Sequence, residues 1–271
     1  MDIYINTIRT EDISMQYMRF GTGPKTMVIL PGISVKSVIL SADAVANQYK
    51  SMTEDFTIYL LDRREDLPSR YTVEDMASDT AKILKELSLS DIYLFGASQG
   101  GMISLVIAAR YPGLVKKLAV GSTCPKFEGE YPAIEKWIEL AKEHKGVELF
   151  LDFASKLYPE SMAESLNDFL VSTGKTVTDE EFLRFVTLAE GTYGFDISES
   201  LSDINCPVLI LGSEDDAVVG PQGSYRIYNA LSPKGSAFIH MYDGLGHASF
   251  DTAADYRDRL TSFFLEEPDA G

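Results

Sequence analysis

The chain has 271 residues, with 24 lysines and arginines against 41 aspartates and glutamates, for a net charge of −17. That charge argues against nucleic acid or an anionic membrane as a partner. Its 45% hydrophobic and 24% charged content is that of a globular chain long enough for one large α/β core.

The N-terminus, Met1-Asp-Ile-Tyr-Ile-Asn6, has no basic stretch leading into an apolar core. No apolar run approaches the roughly 18 residues of a membrane span. The expectation is a cytoplasmic protein with no membrane partner. Cys124 and Cys206 fit that expectation as two free thiols. Cys124 follows one predicted strand (117–122) and Cys206 precedes another (207–211), so a parallel sheet would hold them at opposite ends, out of disulfide reach.

The first 20 residues read as β-rich. Residues 3–8 and 13–20 are strand-like, the second alternating in polarity, and Gly21-Thr-Gly-Pro24 is a turn. Strands are then predicted at 27–30, 57–61, 92–95, 118–120, 208–211 and 237–241. Helices are predicted near 37–49, 73–87, 99–110, 222–231 and 253–265. Short apolar strands without alternation, separated by amphipathic helices, point to a parallel sheet covered on both faces. The alternation stops between Ser122 and Leu201, where only helical patterns appear: 133–143, 147–157, 162–170 and 178–188. Thr178-Asp-Glu-Glu181 is a capping box for the last of these. Such an insert lies where a lid over the carboxyl edge of the sheet would lie, and ligands bind at that edge.

Gly96-Ala-Ser-Gln-Gly100 sits between the strand 92–95 and the helix 99–110. Strand, sharp turn with serine, helix is the context in which G-x-S-x-G carries chemistry. The turn strains the serine backbone, and glycines at 96 and 100 avoid the collisions that side chains would cause there. A serine hydroxyl needs a base, normally a histidine held by a carboxylate. Of three histidines, His144 lies on a charged helix end and reads as surface. His240 lies inside a predicted strand and reads as a buried structural imidazole. His247, in Gly244-Leu-Gly-His247 after the last strand, is the candidate base. The acid belongs at a strand end between serine and histidine. Leu211-Gly-Ser-Glu-Asp-Asp216 offers Asp215 as the choice and Asp216 as the alternative, with Glu214 and Asp243 behind them. A tetrahedral oxyanion needs preorganised donors. The Gln99 N–H at the helix start is one. The Ile33 N–H in Pro31-Gly-Ile-Ser34 is the other, where Gly32 lets the backbone approach the substrate.

Several segments together resemble the α/β-hydrolase superfamily over nearly the whole chain: Leu30-Pro-Gly-Ile33, Leu61-Asp-Arg-Arg64, Tyr71-Thr-Val-Glu-Asp-Met76, Gly96-Ala-Ser-Gln-Gly-Gly101, Ala109-Arg-Tyr-Pro112, Pro207-Val-Leu-Ile-Leu-Gly212 and Gly244-Leu-Gly-His247. They look most like the small bacterial branch of carboxylesterases, proline iminopeptidases, enol-lactonases and carbon–carbon bond hydrolases. The resemblance implies a mostly parallel eight-stranded sheet flanked by helices. It implies a core of residues 1–122 and 201–271, with 123–200 as a helical cap, and catalysis without metal or organic cofactor. In one respect the chain departs from it: many members carry His-Gly in the oxyanion loop, and Pro31-Gly32 stands here.

The 123–200 segment is rich in large apolar groups, among them Trp137, Phe150, Phe153, Tyr158, Phe169, Phe182, Phe185, Tyr193 and Phe195. Most are expected in the core of the insert, a few against an apolar pocket, with Met102 on its floor. No basic cluster near the serine suggests a polyanion. The expected reaction is hydrolysis of a small or medium apolar carboxylic ester through an acyl-enzyme. A carbon–carbon bond or an enol-lactone is the alternative substrate, and a ligand-sensing module with little turnover is the alternative of another class.

Overall fold

The computed structural model describes residues 1–127, 129 and 131–266. In chain order the elements are β1 (Tyr4–Arg9), β2 (Ser14–Phe20), β3 (Lys25–Leu30), α1 (Ala42–Gln48), β4 (Phe56–Arg64), α2 (Val73–Glu86), β5 (Ile92–Ala97), α3 (Gln99–Arg110) and β6 (Val115–Gly121). A run of helices follows: α4 (Pro132–Lys142), α5 (Gly146–Leu157), α6 (Glu160–Ser165), α7 (Asn167–Gly174) and α8 (Asp179–Glu190). The chain then returns to the sheet with β7 (Val208–Ser213), α9 (Gln222–Leu231), β8 (Ala237–Tyr242), α10 (Ser249–Thr252) and α11 (Tyr256–Leu265).

The strands form one sheet in the order β1-β2-β4-β3-β5-β6-β7-β8. β1 with β2, and β2 with β4, pair antiparallel; every later pairing is parallel. The expected α/β-hydrolase architecture is therefore the observed one. All six residues of β5 are buried. Ile92 and Leu94 enter one apolar layer and Tyr93 and Phe95 the other, as a strand covered on both faces requires. Each such side chain, fully buried, stabilises the fold by about 1.5–3 kcal/mol.

The topology sets the position of the site. From β3 the chain crosses to β4 on one side and later to β5 on the other, so the carboxyl ends of β3 and β5 meet, Leu30 opposite Gly96. Further along the same edge Ala97 lies opposite Gly121, Gly121 opposite Leu211 and Ser213 opposite Tyr242. The segments that continue from those ends carry residues 31–34, 98, 214–216 and 243–247. A reversal of strand order at this edge is where open α/β sheets bind ligands.

Two local expectations change. The pattern at 162–170 is two helices, α6 and α7, joined at Leu166, whose N–H is shared between the Met162 and Ala163 carbonyls. The apolar spacing runs on across that bend, so periodicity alone reads a single helix. His240 is half-buried rather than enclosed, because β8 is the edge strand; its ring stands edge-on to Tyr242 at 4.6 Å. The Thr178 box forms as expected, its hydroxyl accepting from the Glu181 N–H and the Glu181 carboxylate from the Thr178 N–H.

Candidate active site

Ser98 occupies the turn between β5 and α3 with φ +52° and ψ −122°, a conformation that costs a non-glycine residue on the order of 1–3 kcal/mol. Its backbone is held from three sides. The N–H donates to the Gly121 carbonyl at 2.8 Å. The carbonyl accepts from the Gly101 and Met102 N–H groups at 2.9 and 3.2 Å and from the Thr123 hydroxyl at 2.8 Å. The flanking glycines are forced. A Cβ at position 96 would lie 2.3 Å from both the Gly100 carbonyl oxygen and Ser104 Oγ, and one at position 100 would lie 2.0 Å from the Leu30 carbonyl oxygen. Ser98 is the half-buried residue in an otherwise buried stretch from 92 to 100.

His247 is buried in the segment between β8 and α10, 1% exposed. Its Nδ1 lies 2.9 Å from both oxygens of Asp216, which is itself 7% exposed. The expectation for Asp215 is thus corrected: Asp216 meets the imidazole. Asp215 is exposed and accepts from the Gly246 backbone N–H at 3.0 Å, so it braces the histidine segment from outside. The reason is a local turn. Asp216 Oδ1 accepts from the N–H groups of Val218 and Val219 at 2.8 and 3.0 Å, which folds its side chain inward. Burial alone would raise the Asp216 pKa. The imidazole charge and hydrogen bond, with the two valine N–H groups, outweigh that and hold it below the usual carboxylate value. Glu214 is exposed and accepts from the Tyr225 hydroxyl. His144, as expected, is at the surface, 3.0 Å from Asp179.

The two expected backbone donors flank the serine. Gln99 is the first residue of α3, where an N–H has no partner within the helix. Ile33 follows Gly32, whose hypothetical Cβ would stand 3.2 Å from Ser98 Cβ and 3.7 Å from Oγ, so this loop passes directly over the serine. Arg63, 3% exposed, joins the two. Its Nη2 donates to the Pro31 carbonyl at 2.8 Å and to Gln99 Oε1 at 3.4 Å. Gln99 Nε2 in turn donates to the Leu188 carbonyl at 2.7 Å and to the Thr192 hydroxyl at 3.1 Å. One side chain therefore ties the serine turn to the helical insert. A second tie runs from Arg184 on α8 to Asp62 Oδ1 at 3.0 Å, and a third from Lys36 to Glu181 at 2.8 Å.

These roles escaped the sequence reading. Leu61-Asp-Arg-Arg64 marked Asp62 and Arg63 only as part of a motif, and a charge pair inside a buried strand was the available signal.

Ser98 and His247 line the same cavity, of about 250 Å³, just below the ~300–1,000 Å³ usual for small-molecule sites. Gly32 and Ile33 form part of its wall and Met102 contributes as expected. Phe127, Trp137, Phe153, Leu157 and Tyr158 add an apolar wall from the 123–200 segment. Trp137, Phe182, Phe185 and Phe195 are buried, but Phe169 is 65% exposed and belongs to neither core nor pocket. Among the described residues no cluster of three or more His, Cys, Asp or Glu stands ready for a metal ion.

Known proteins agree with this architecture. The chain is 28% identical over 226 residues to the Serratia proteamaculans protein named "Putative carbamate hydrolase RutD", covering 79% of this chain and 82% of that one. It is 26% identical to the mouse serine hydrolase BPHL, covering 96% and 85%. Among solved structures, the α/β hydrolase MGS-M2 from a Medee basin deep-sea metagenome library superposes with a TM-score of 0.84 at 22% identity, covering 97% of this chain and 98% of that one. The enol-lactonase from Burkholderia xenovorans LB400 does so at 0.78 and 16% identity, covering 96% and 100%. The sequence profile described as "Serine aminopeptidase, S33" matches residues 68–251, a span that takes in Ser98, Asp216 and His247. The chain belongs to that family, within the α/β-hydrolase superfamily.

Proposed function

We propose that this hydrolase cleaves small, largely apolar carboxylic esters through Ser98, His247 and Asp216. The observation that carries the reading is that His247, held by the buried Asp216, lines the same cavity as the strained Ser98. Asp216 accepts a hydrogen bond from the His247 Nδ1–H and so leaves Nε2 free to act as base. Ser98 Oγ attacks the ester carbonyl as its proton passes to Nε2. The oxyanion takes hydrogen bonds from the Ile33 and Gln99 N–H groups, each on the order of 3 kcal/mol. Collapse expels the alcohol, which takes the proton from Nε2. Water, deprotonated by the same nitrogen, then releases the acid and restores Ser98.

A carbamate is the second reading. The named RutD relatives favour it, and a carbamate presents the same electrophilic carbonyl to Ser98. The experiment is a rate panel of p-nitrophenyl acetate, butyrate and hexanoate, an aryl carbamate and an enol-lactone, together with fluorophosphonate labelling. Ester turnover and labelling at Ser98, both lost in Ser98→Ala, are expected. Turnover of the carbamate alone moves the assignment to the second reading. Absence of both labelling and turnover overturns the hydrolytic role of Ser98.

A further inference from the structure

Among the described residues, the wall of the cavity carries one carboxylate and no lysine or arginine. Among the described lining residues that carboxylate is Asp251, on α10, four residues after His247. Asp251 keeps exposed surface, yet loss of bulk water raises its pKa. The two observations agree if the exposed part of the side chain opens into the cavity. Gln48 Nε2 donates to Oδ1 at 3.1 Å and the Tyr158 hydroxyl to Oδ2 at 3.3 Å. A carboxylate offers about four lone-pair positions, so each oxygen keeps acceptor capacity for a ligand.

The surroundings sharpen the preference. Tyr49 and Phe250 line the same cavity, and aromatic faces favour cations. Arg257 lies 4.9 Å from the Tyr49 ring and donates to the Phe250 carbonyl. Its positive charge offsets part of the burial that raises the Asp251 pKa, but its Nε and Nη2 have no hydrogen-bond partner among the described residues, so it forms no direct pair with the carboxylate through them. The net charge of −17 acts in the same direction, attracting cations to the molecule.

Resting on the ester-hydrolase reading, we propose that Asp251 selects substrates by charge: the site prefers an ester with an ammonium group lodged against Asp251, Gln48 and Tyr158, and rejects one with a carboxylate there. The ammonium replaces lost water around a half-satisfied carboxylate. A substrate carboxylate at the same place would meet a like charge, with Arg257 behind the wall rather than in it and no lysine or arginine among the described lining residues.

The test compares kcat/KM for the p-nitrophenyl esters of hexanoic acid, 6-aminohexanoic acid and the adipate monoester, and for the acetates of hexanol, 6-aminohexanol and 6-hydroxyhexanoic acid. On at least one side of the ester the ammonium substrate is expected to exceed the carboxylate by ~100-fold or more. Asp251→Asn should reduce that ratio at least ~10-fold; a ratio cancels any general loss of activity. As a second readout, hexylammonium and hexanoate are titrated into Ser98→Ala and Ser98→Ala/Asp251→Asn proteins by calorimetry, with tighter ammonium binding expected only when Asp251 is present. Equal rates across both series, or a preference that Asp251→Asn leaves intact, overturns the proposal while ester turnover still supports the hydrolase reading. Charge-selective binding without turnover of any ester supports the charge selection by Asp251 and overturns the ester-hydrolase reading. Neither turnover nor charge-selective binding overturns both.

Discussion

His247 Nδ1 lies 2.9 Å from both oxygens of Asp216, while Asp215, one residue earlier, accepts from the Gly246 backbone N–H instead. The two neighbouring acids therefore have separable jobs. Asp216→Asn should lower kcat for an ester by about 10⁴, because an amide that donates to Nδ1 favours the wrong tautomer. Asp215→Asn keeps an acceptor oxygen for Gly246 and should stay within about tenfold of the native rate. Initial rates of the two purified variants decide the assignment. The reverse pattern would return the orienting role to Asp215.

The same pair has a signature in stability. The Asp216 carboxyl is held below its ordinary value near 3.9. A carboxylate depressed on folding contributes stability at pH values above its unfolded pKa, and that contribution is lost as pH falls through the lower native value. The melting temperature of Asp216→Asn should therefore lie below that of the native protein at pH 7 and still at pH 5. The difference should shrink below about pH 4, where the unfolded-state carboxyl begins to hold its proton. Calorimetric scans at these pH values test the sign.

Much of this site is legible in the sequence because its constraints are local. Gly96, Ser98 and Gly100 are set by a turn that only one backbone path can make, and His247 by its place after the last strand. Asp215 and Asp216 differ in a feature that residue counting does not contain: the valine N–H groups at 218 and 219 turn one side chain inward. Arg63 and Gln99 are harder still. Their partners, Pro31, Leu188 and Thr192, lie 32 to 93 positions away and come near only through the sheet crossover and the fold of the insert. Asp251 is invisible for the same reason, since its neighbours Gln48 and Tyr158 come from α1 and the end of α5.

Arg63 should act on the rate without touching substrate. Its guanidinium spans the Pro31 carbonyl and the Gln99 side chain, and so links the loop before Ile33 to the start of α3, the two segments whose N–H groups are proposed as oxyanion donors. Burial lowers its pKa to about 10, which leaves it cationic at neutral pH. Lysine keeps the charge but loses the planar fork. Arg63→Lys should lower kcat by roughly 10–100-fold with a smaller change in KM, as for a displaced oxyanion donor. A change confined to KM would show that the N–H spacing is set elsewhere.

The thiols offer a check on burial that is independent of catalysis. Cys124 is 2% exposed, and loss of water raises its pKa to about 12; Cys206, half-buried, rises to about 11 for the same reason. Only thiolate reacts with disulfide reagents. Native protein at pH 8 should therefore release little thionitrobenzoate from Ellman's reagent over minutes, and two equivalents in denaturant. Rapid reaction in the native state would contradict the packing of Cys124 against α9 or the burial of Cys206 just before β7.

Gly32 and Gly100 separate two kinds of crowding at the serine. A Cβ on Gly100 would approach two backbone carbonyl oxygens, those of Leu30 and Pro31, at 2.0 and 2.5 Å. Backbone cannot rotate away as a side chain can, so β3 and α3 must separate, a disruption beyond the ~1–3 kcal/mol of ordinary overpacking. Gly100→Ala should be largely insoluble or melt well below the native protein. A Cβ on Gly32 meets Ser98 at 3.2 Å, a contact relieved by a shift of a few tenths of an ångström. Gly32→Ala should fold with a melting temperature close to native but lose kcat, because that shift moves either Ser98, the proposed nucleophile, or the Ile33 N–H, the proposed donor. Thermal melts and ester kinetics of the two variants test this together: a stable, active Gly32→Ala protein would mean that the loop does not pass over Ser98 as closely as the structure places it.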